Sequence, residues 1–335
     1  MVKTLVIGDL HFDNKPFGLL EAQTQCIKDI IDSNEDVNDV IFLGDLMMHR
    51  KPYPRVLLAL KEVIDYASRN SKVTIIRGNH DSENKSDDGV TALSLFADDK
   101  VKVVTQTWYD HKTKRAFIPH YEDEERIKKD LSEIPRDYTV FGHFGYFGSL
   151  NSAGDNDFSI SLSDFNNPTV LGHIHRHHRG EVVTLLGTPY STNYAEYKKE
   201  NYYGRFEDKD FETFPIEFGP RHLVIDYDLV EENIDWINDP KYFTLLRINI
   251  STVNEDQDSI ADLLDKLKVG YVEIKYSPLS DEKYDTEEIQ TINPVTEIND
   301  TLIEDYINAS NSKIGKDELL NGLNLIHENQ QSRNK

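Results

Sequence analysis

The apolar residues of the first 220 positions fall into two alternating rhythms. Short runs rich in β-branched residues, bounded by Gly, Asp, Asn or Pro, predict strands at Thr4–Ile7, Val40–Leu43, Val73–Ile76, Val101–Val104, Ala116–Ile118, Thr139–Phe141, Thr169–Leu171 and Val182–Leu185. Between them, Leu19–Ile31 and Arg55–Ala67 repeat apolar residues at helical spacing. Strands alternating with helices predict an α/β fold. A boundary is expected near Phe218-Gly219-Pro220, followed by a strand at Thr244–Ile250, a helix at Ser259–Leu267 and a strand at Val272–Tyr276. Residues 277–300 are polar and carry Pro278 and Pro294, the composition of a linker. Apolar clusters at Leu302–Ile307 and Leu319–Ile326 predict two short amphipathic helices. The expected layout is therefore a main domain over 1–218, a small α/β capping domain over 219–280, and a linker with a helical segment over 281–335.

Composition supports a folded chain: 38% of the 335 residues are hydrophobic and 10% aromatic, enough for a sizeable core. A single cysteine, Cys26, excludes an internal disulfide and a cysteine-rich zinc site, which suits a reducing, cytoplasmic setting (host cytoplasm for a viral protein). The N-terminus lacks the pattern of a signal peptide. No stretch approaches the ~20 apolar residues of a spanning helix, so no membrane association is expected. The net charge is −23. Residues 221–335 hold 24 acidic against 11 basic residues, leaving 36 against 26 in residues 1–220. That balance opposes tight nucleic-acid binding by this chain alone, although bound divalent cations would reverse the field locally.

Five strand ends carry Gly followed by a polar residue: Gly8-Asp9-Leu10-His11, Gly44-Asp45, Gly78-Asn79-His80-Asp81, Gly142-His143 and Gly172-His173-Ile174-His175. Glycine is expected there because it permits a turn that aims the next side chain off the sheet rim. In open α/β sheets, ligands gather at the carboxyl ends of the strands. One Gly-Asp or Gly-His is usually just a turn, whereas five at successive strand ends point to one shared site. Asp and His donors with an Asn carbonyl suit Mn²⁺, Fe²⁺ or Zn²⁺ better than Ca²⁺. Asp45, alone in its motif, is the candidate to bridge two ions ~3.5–4 Å apart.

This ordered set resembles the calcineurin-like metallophosphoesterase superfamily over roughly residues 3–190. The resemblance implies a two-sheet sandwich flanked by helices. It assigns Asp9, His11 and His175 to one divalent metal and Asn79, His143 and His173 to the other, with Asp45 between them. His80 would then protonate the leaving oxygen or bond the transition state, with Asp81 orienting its imidazole. Within the superfamily the chain looks most like the SbcD/Mre-eleven DNA nuclease branch in a compact, phage-type form. The segment Met47-Met48-His49-Arg50-Lys51-Pro52 stands where that branch has a histidine-containing loop, and Gly187-Thr188-Pro189-Tyr190 resembles its Gly-Ser-Pro-type segment. His49 is displaced by one position from the family spacing, so an exposed loop residue is the preferred reading over a substrate contact. The branch implies a Mn-dependent nuclease in DNA repair or recombination, exonucleolytic on duplex ends and endonucleolytic on single strands. It also implies a homodimer joined to an SbcC/Rad-fifty-type ATPase in a heterotetramer, docked through the tail.

Alternatives remain at this stage. The same centre could serve a phosphatase or a cyclic-nucleotide phosphodiesterase, or the fold could be a non-catalytic scaffold. Arg176, with His177, His178 and Arg179, either contacts substrate phosphates or forms a solvated loop. His120 either lines the site or, the preferred reading, is structural. Cys26 reads as packed, and the tail either docks a partner or folds back.

Overall fold

The computed structural model describes residues 2–149, 158–207, 210–250 and 257–276. The expected linker and helical tail over 281–335, with its docking role, lie outside the described residues.

Each early strand is built on strict alternation. In β1 (Lys3–Ile7), Leu5 and Ile7 face outward to helices while Val6 faces inward. β2 (Asp39–Phe42) and β3 (Lys72–Ile76) repeat this pattern, with Val40, Phe42, Val73 and Ile75 outward and Ile41 and Ile76 inward. β4 is Val101–Val104. The outward faces are covered by α1 (Leu19–Asp32) and α2 (Pro54–Ala67). In α1, Gln23, Cys26, Ile27 and Ile30 recur at helical spacing and are buried. In α2 the first residue is Pro54, a position whose backbone N–H would be unsatisfied anyway.

The second sheet contains β5 (Trp108–Asp110), β6 (Arg115–Ile118), β7 (Thr139–His143), β8 (Thr169–Gly172), β9 (His178–Arg179) and β10 (Val183–Leu185). Ala116, Ile118 and Val140 pack outward on Ile127 and Leu131 of α3 (Glu124–Glu133). Phe117, Phe141 and Val170 turn inward and meet Val6, Ile41, Leu43 and Ile76 of the first sheet. The sandwich core lies between these two inner faces. β11 (Tyr202–Glu207) and β12 (Asp210–Pro215) return to the first sheet, whose order is β12-β11-β1-β2-β3-β4; the second runs β5-β6-β7-β8-β10-β9.

A third, all-parallel sheet is formed by β13 (Gly219–Asp226), β14 (Tyr242–Ile250) and β15 (Tyr271–Tyr276), with α4 (Ile234–Ile237) and α5 (Gln257–Leu264) in its crossovers. Its own core joins Leu223, Ile237, Leu246, Ile248, Ile260 and Leu263. The chain passes to this sheet at Gly219, where a β-carbon would stand only 2.6 Å from Cys26 Sγ of α1. The third sheet therefore packs tightly on α1, and the described residues all fall within one compact unit. Among the described residues, no helix is long and apolar enough to cross a membrane.

Candidate metal centre

Strands β1, β2 and β3 are parallel neighbours in one sheet, and β7 and β8 in the other. Their carboxyl ends open onto one rim. The loops after β1 and β2 are themselves paired, His11 N donating to Asp45 O at 2.9 Å and Phe12 N to Leu46 O at 3.0 Å. His11, Asp45 and His173 take positive φ of 45°, 48° and 78°. Such left-handed residues persist only where surrounding structure holds them, and they cluster at functional sites. The preceding glycines serve a different end from the one expected. Of those five, only Gly44 has positive φ, at 107°. At Gly78 a β-carbon would lie 2.1 Å from Asp45 Oδ1, so close approach rather than turning freedom requires that glycine.

The side chains converge in two groups that share one carboxylate. Asp45, His143 and His173 offer ligand atoms within 4.8 Å of one another, and so do His11, Asp45 and His80. His175 joins the second group, its Nε2 2.9 Å from His11 Nε2. Asn79 joins the first, its Oδ1 lying 3.1 Å from His143 Nε2 and 3.0 Å from His173 Nδ1. Asp9 ties the two sheets, accepting from the His173 amide at 2.8 Å, while its Oδ2 is buried without a partner.

Tautomers make the geometry informative. His143 Nδ1 donates to Leu43 O at 2.7 Å, and His175 Nδ1 donates to Glu196 Oε1 at 2.8 Å. In a neutral His143 ring, Nε2 then presents a lone pair to the acceptor Asn79 Oδ1, and in a neutral His175 ring Nε2 presents one to His11 Nε2. For the His143–Asn79 pair this sets acceptor against acceptor in a buried site, which is unfavourable unless a cation sits between them. With the orphaned Asp9 Oδ2, the donor set fits divalent cations, Asp45 being common to both candidate groups.

A family model described as calcineurin-like phosphoesterase matches residues 2–272. The chain belongs to the calcineurin-like phosphoesterase family. Solved structures similar to this phosphoesterase include a novel archaeal phosphodiesterase, 14% identical, TM-score 0.34, covering 64% of this chain and 99% of the other. Another is nuclease MPE of Pseudomonas putida, 19% identical, TM-score 0.29, covering 54% of this chain and 66% of that one. No curated protein matches. The family's centre is dinuclear, and the His and Asp groups of this phosphoesterase are candidates to form it.

Electrostatics shape the phosphoesterase's candidate ligands. Burial pushes the His11 and His173 imidazoles down to about 3, keeping them neutral and able to coordinate. Burial opposes ionisation of Asp45, yet the neighbouring His143 and His11 hold it well below the usual carboxylate range. Burial also opposes charge on His143, but Asp45 raises it to about 9 in the metal-free chain. Glu196 is held below the carboxylate range because, against its burial, it accepts from His175.

The structure corrects one expected role. Asp81 does not orient His80: its Oδ1 accepts from the Leu46 and Met47 amides at 3.0 and 3.2 Å, and its Oδ2 from Gly78 N at 3.0 Å. Asp81 instead ties the loop after β2 to the loop after β3. The His80 ring is oriented by Met48 O, 2.6 Å from Nδ1, and the His80 amide donates to Asp45 Oδ1 at 2.8 Å. His49 is an exposed loop residue 4.0 Å from Asp13, and Arg176 is exposed beyond His175. His177 bonds Leu185 O and lies 4.1 Å from the Tyr202 ring, a structural position. His120, by contrast, stands beside the centre, its ring 5.7 Å from that of His173.

Glu196 had no sequence signal of its own. It follows no glycine turn and lies 21 residues beyond its partner. Only the fold, which returns the 191–196 loop beneath His175, brings them together. Thr192 N and Oγ1 donate to Glu196 Oε2 at 2.8 and 3.0 Å, so both carboxylate oxygens are engaged.

Proposed function

We propose that this chain is a Mn²⁺-dependent DNA nuclease subunit that hydrolyses phosphodiester bonds. The observation carrying the hydrolytic part is Asp45, shared by two clusters of nitrogen and oxygen donors. Two divalent cations held by these groups would activate water and neutralise charge on the phosphoryl oxygens. The protein's own groups do the rest. The His80 amide and Asp81, through the loops they tie, hold Asp45 in place. With Nδ1 held on Met48 O, His80 has Nε2 as the ring atom that would hand a proton to the leaving oxygen. Glu196 keeps the His175 proton on Nδ1 and leaves Nε2 for coordination.

Support for DNA as substrate is the motif order and the nuclease-like loop and Gly-Thr-Pro segment described above. In this reading a homodimer works with an SbcC/Rad-fifty-type ATPase that supplies DNA grip, which reconciles the acidic chain with its substrate. The purified chain with Mn²⁺ should degrade linear DNA, EDTA should stop it, and His80→Ala should lower cleavage by about 10²–10⁴-fold while two ions still bind. Loss of an ion in that variant would make His80 a ligand, in keeping with its place beside His11 and Asp45. Vigorous hydrolysis of phosphomonoesters with no DNA cleavage would favour a phosphatase.

A further inference from the structure

His11 is oriented differently from two other imidazoles of the centre. His143 and His175 each fix their ring through Nδ1, on Leu43 O and Glu196 Oε1. His11 turns Nε2 into the centre, 2.9 Å from His175 Nε2 and 3.7 Å from Asp45 Oδ2. Its buried Nδ1, however, has no hydrogen-bond partner among the described residues. A ligand imidazole without such a partner must be aimed by its backbone. His11 also sits at a φ of 45°, a left-handed conformation that surrounding structure has to impose.

That backbone is held on both sides. In the peptide unit before His11, the amide donates to Asp45 O at 2.9 Å and the carbonyl, Leu10 O, accepts from the Tyr190 hydroxyl at 2.5 Å. In the unit after it, Phe12 N donates to Leu46 O at 3.0 Å and His11 O accepts from Gln23 Nε2 at 3.1 Å. All four polar groups of two successive peptide units are engaged, which fixes both planes and the direction in which the side chain leaves them. Two of the four partners are side chains brought from elsewhere. Gln23 comes from α1 and uses its other amide atom to accept from Asp13 N at 3.0 Å. Tyr190 ends the Gly-Thr-Pro-Tyr segment, which presses on the same loop: a β-carbon at Gly8 would stand 2.0 Å from Gly187 O. Both side chains are buried, and burial raises the Tyr190 pKa well above its ordinary value, so the hydroxyl keeps the proton it donates.

We infer that Tyr190 and Gln23 are positioning residues for His11: they clamp its two flanking peptide units and do for this ligand what Glu196 does for His175. Neither touches the reacting atoms. The inference rests on the reading of this rim as a metal centre and holds whatever phosphoester is the substrate. Without either clamp a buried carbonyl is left unpaired, a cost that a rotated peptide plane relieves. Rotation of either plane swings His11 away from Asp45 and His175.

The test is a Mn²⁺ titration of the full-length chain followed by electron paramagnetic resonance, with near-ultraviolet circular dichroism to verify that each variant is folded. Tyr190→Phe and Gln23→Met keep the buried volume and remove the clamping bonds. Each should weaken Mn²⁺ binding by about 10–100-fold, the usual cost of losing an orienting partner. Thr24→Val removes another buried side-chain bond of α1, from Thr24 Oγ1 to Leu20 O, without touching the metal loop, and should leave the affinity unchanged. The deciding comparison is a double-mutant cycle. In a His11→Ala background the positioned ligand is gone, so Tyr190→Phe and Gln23→Met should cost nothing further. A loss of the same size in that background, an equal loss in Thr24→Val, or unchanged affinity in both single variants would overturn the inference. The two failures are separable: Mn²⁺ binding that ignores both clamps defeats the positioning role alone, whereas a chain that binds no Mn²⁺ defeats the metal reading and the inference together.

Discussion

At the scale of single residues, the centre depends on groups that coordinate nothing. Glu196 is fully buried and spends both oxygens holding His175 and its own loop. Its replacement by Gln keeps the shape but can present an amide N–H toward a ring nitrogen that already carries a proton. Removing such partners typically costs about 10–100-fold in metal affinity. Glu196→Gln should therefore weaken Mn²⁺ binding by that factor in an electron-paramagnetic-resonance titration; unchanged affinity would leave the carboxylate with only a packing role. Five of the seven candidate ligands were legible because each directly follows a strand-end glycine, and His11 and His175 because each lies two residues beyond one of those five. The partners that orient them were not. Asp81 adjoins His80 in sequence, which suggested a contact, but successive side chains in the turn diverge and its oxygens are taken by backbone amides. Met48 works through its carbonyl, which no side-chain pattern encodes.

Among elements, legibility followed burial. Strands β1 to β3 and β6 to β8 were readable because most of their residues are buried, giving dense runs of Val, Ile, Leu and Phe, and the partly exposed β4 and β15 because they still carry Val or Ile at alternate positions. β11, β12 and β13 were missed because their half-exposed faces interleave Arg, Glu, Asp and Thr. α3 was missed because only Ile127 and Leu131 of its ten residues are buried. β13 is anchored by His222, whose Nδ1 donates to Ser191 O at 3.0 Å and whose amide donates to Ser191 Oγ at 2.7 Å. Burial lowers the His222 pKa from 6.5 to about 4, with the Ser191 bond opposing the shift. The unfolded chain binds this proton first, so the contribution is fully present above pH 6.5 and is lost as pH falls toward about 4. The difference is worth about 3 kcal/mol at most. In urea titrations of the metal-free chain between those limits, His222→Gln should flatten the decline in stability. An identical slope would show that other groups govern it.

For the whole molecule, charge and architecture pull in different directions. A chain carrying −23 repels a polyanion except where cations are bound. If DNA is the substrate, added monovalent salt should at first raise kcat/KM of the isolated chain by screening that repulsion, over the range up to ~0.1 M where the Debye length shrinks to ~10 Å. A steep fall from the lowest salt onward, the behaviour of basic DNA-binding proteins, would contradict this.

The same centre has a mechanical meaning. Asp9 of the first sheet holds the His173 amide of the second, and His143 of the second holds Leu43 O of the first. Cations held by candidate ligands from both layers would make the rim a clasp on the sandwich, and chelation should spring it. Amide hydrogen exchange would register this as faster exchange at residues 43–46 and 172–174 together, with the helix-covered interior unchanged. Cofactor loading would then set how firmly the two layers hold at that edge.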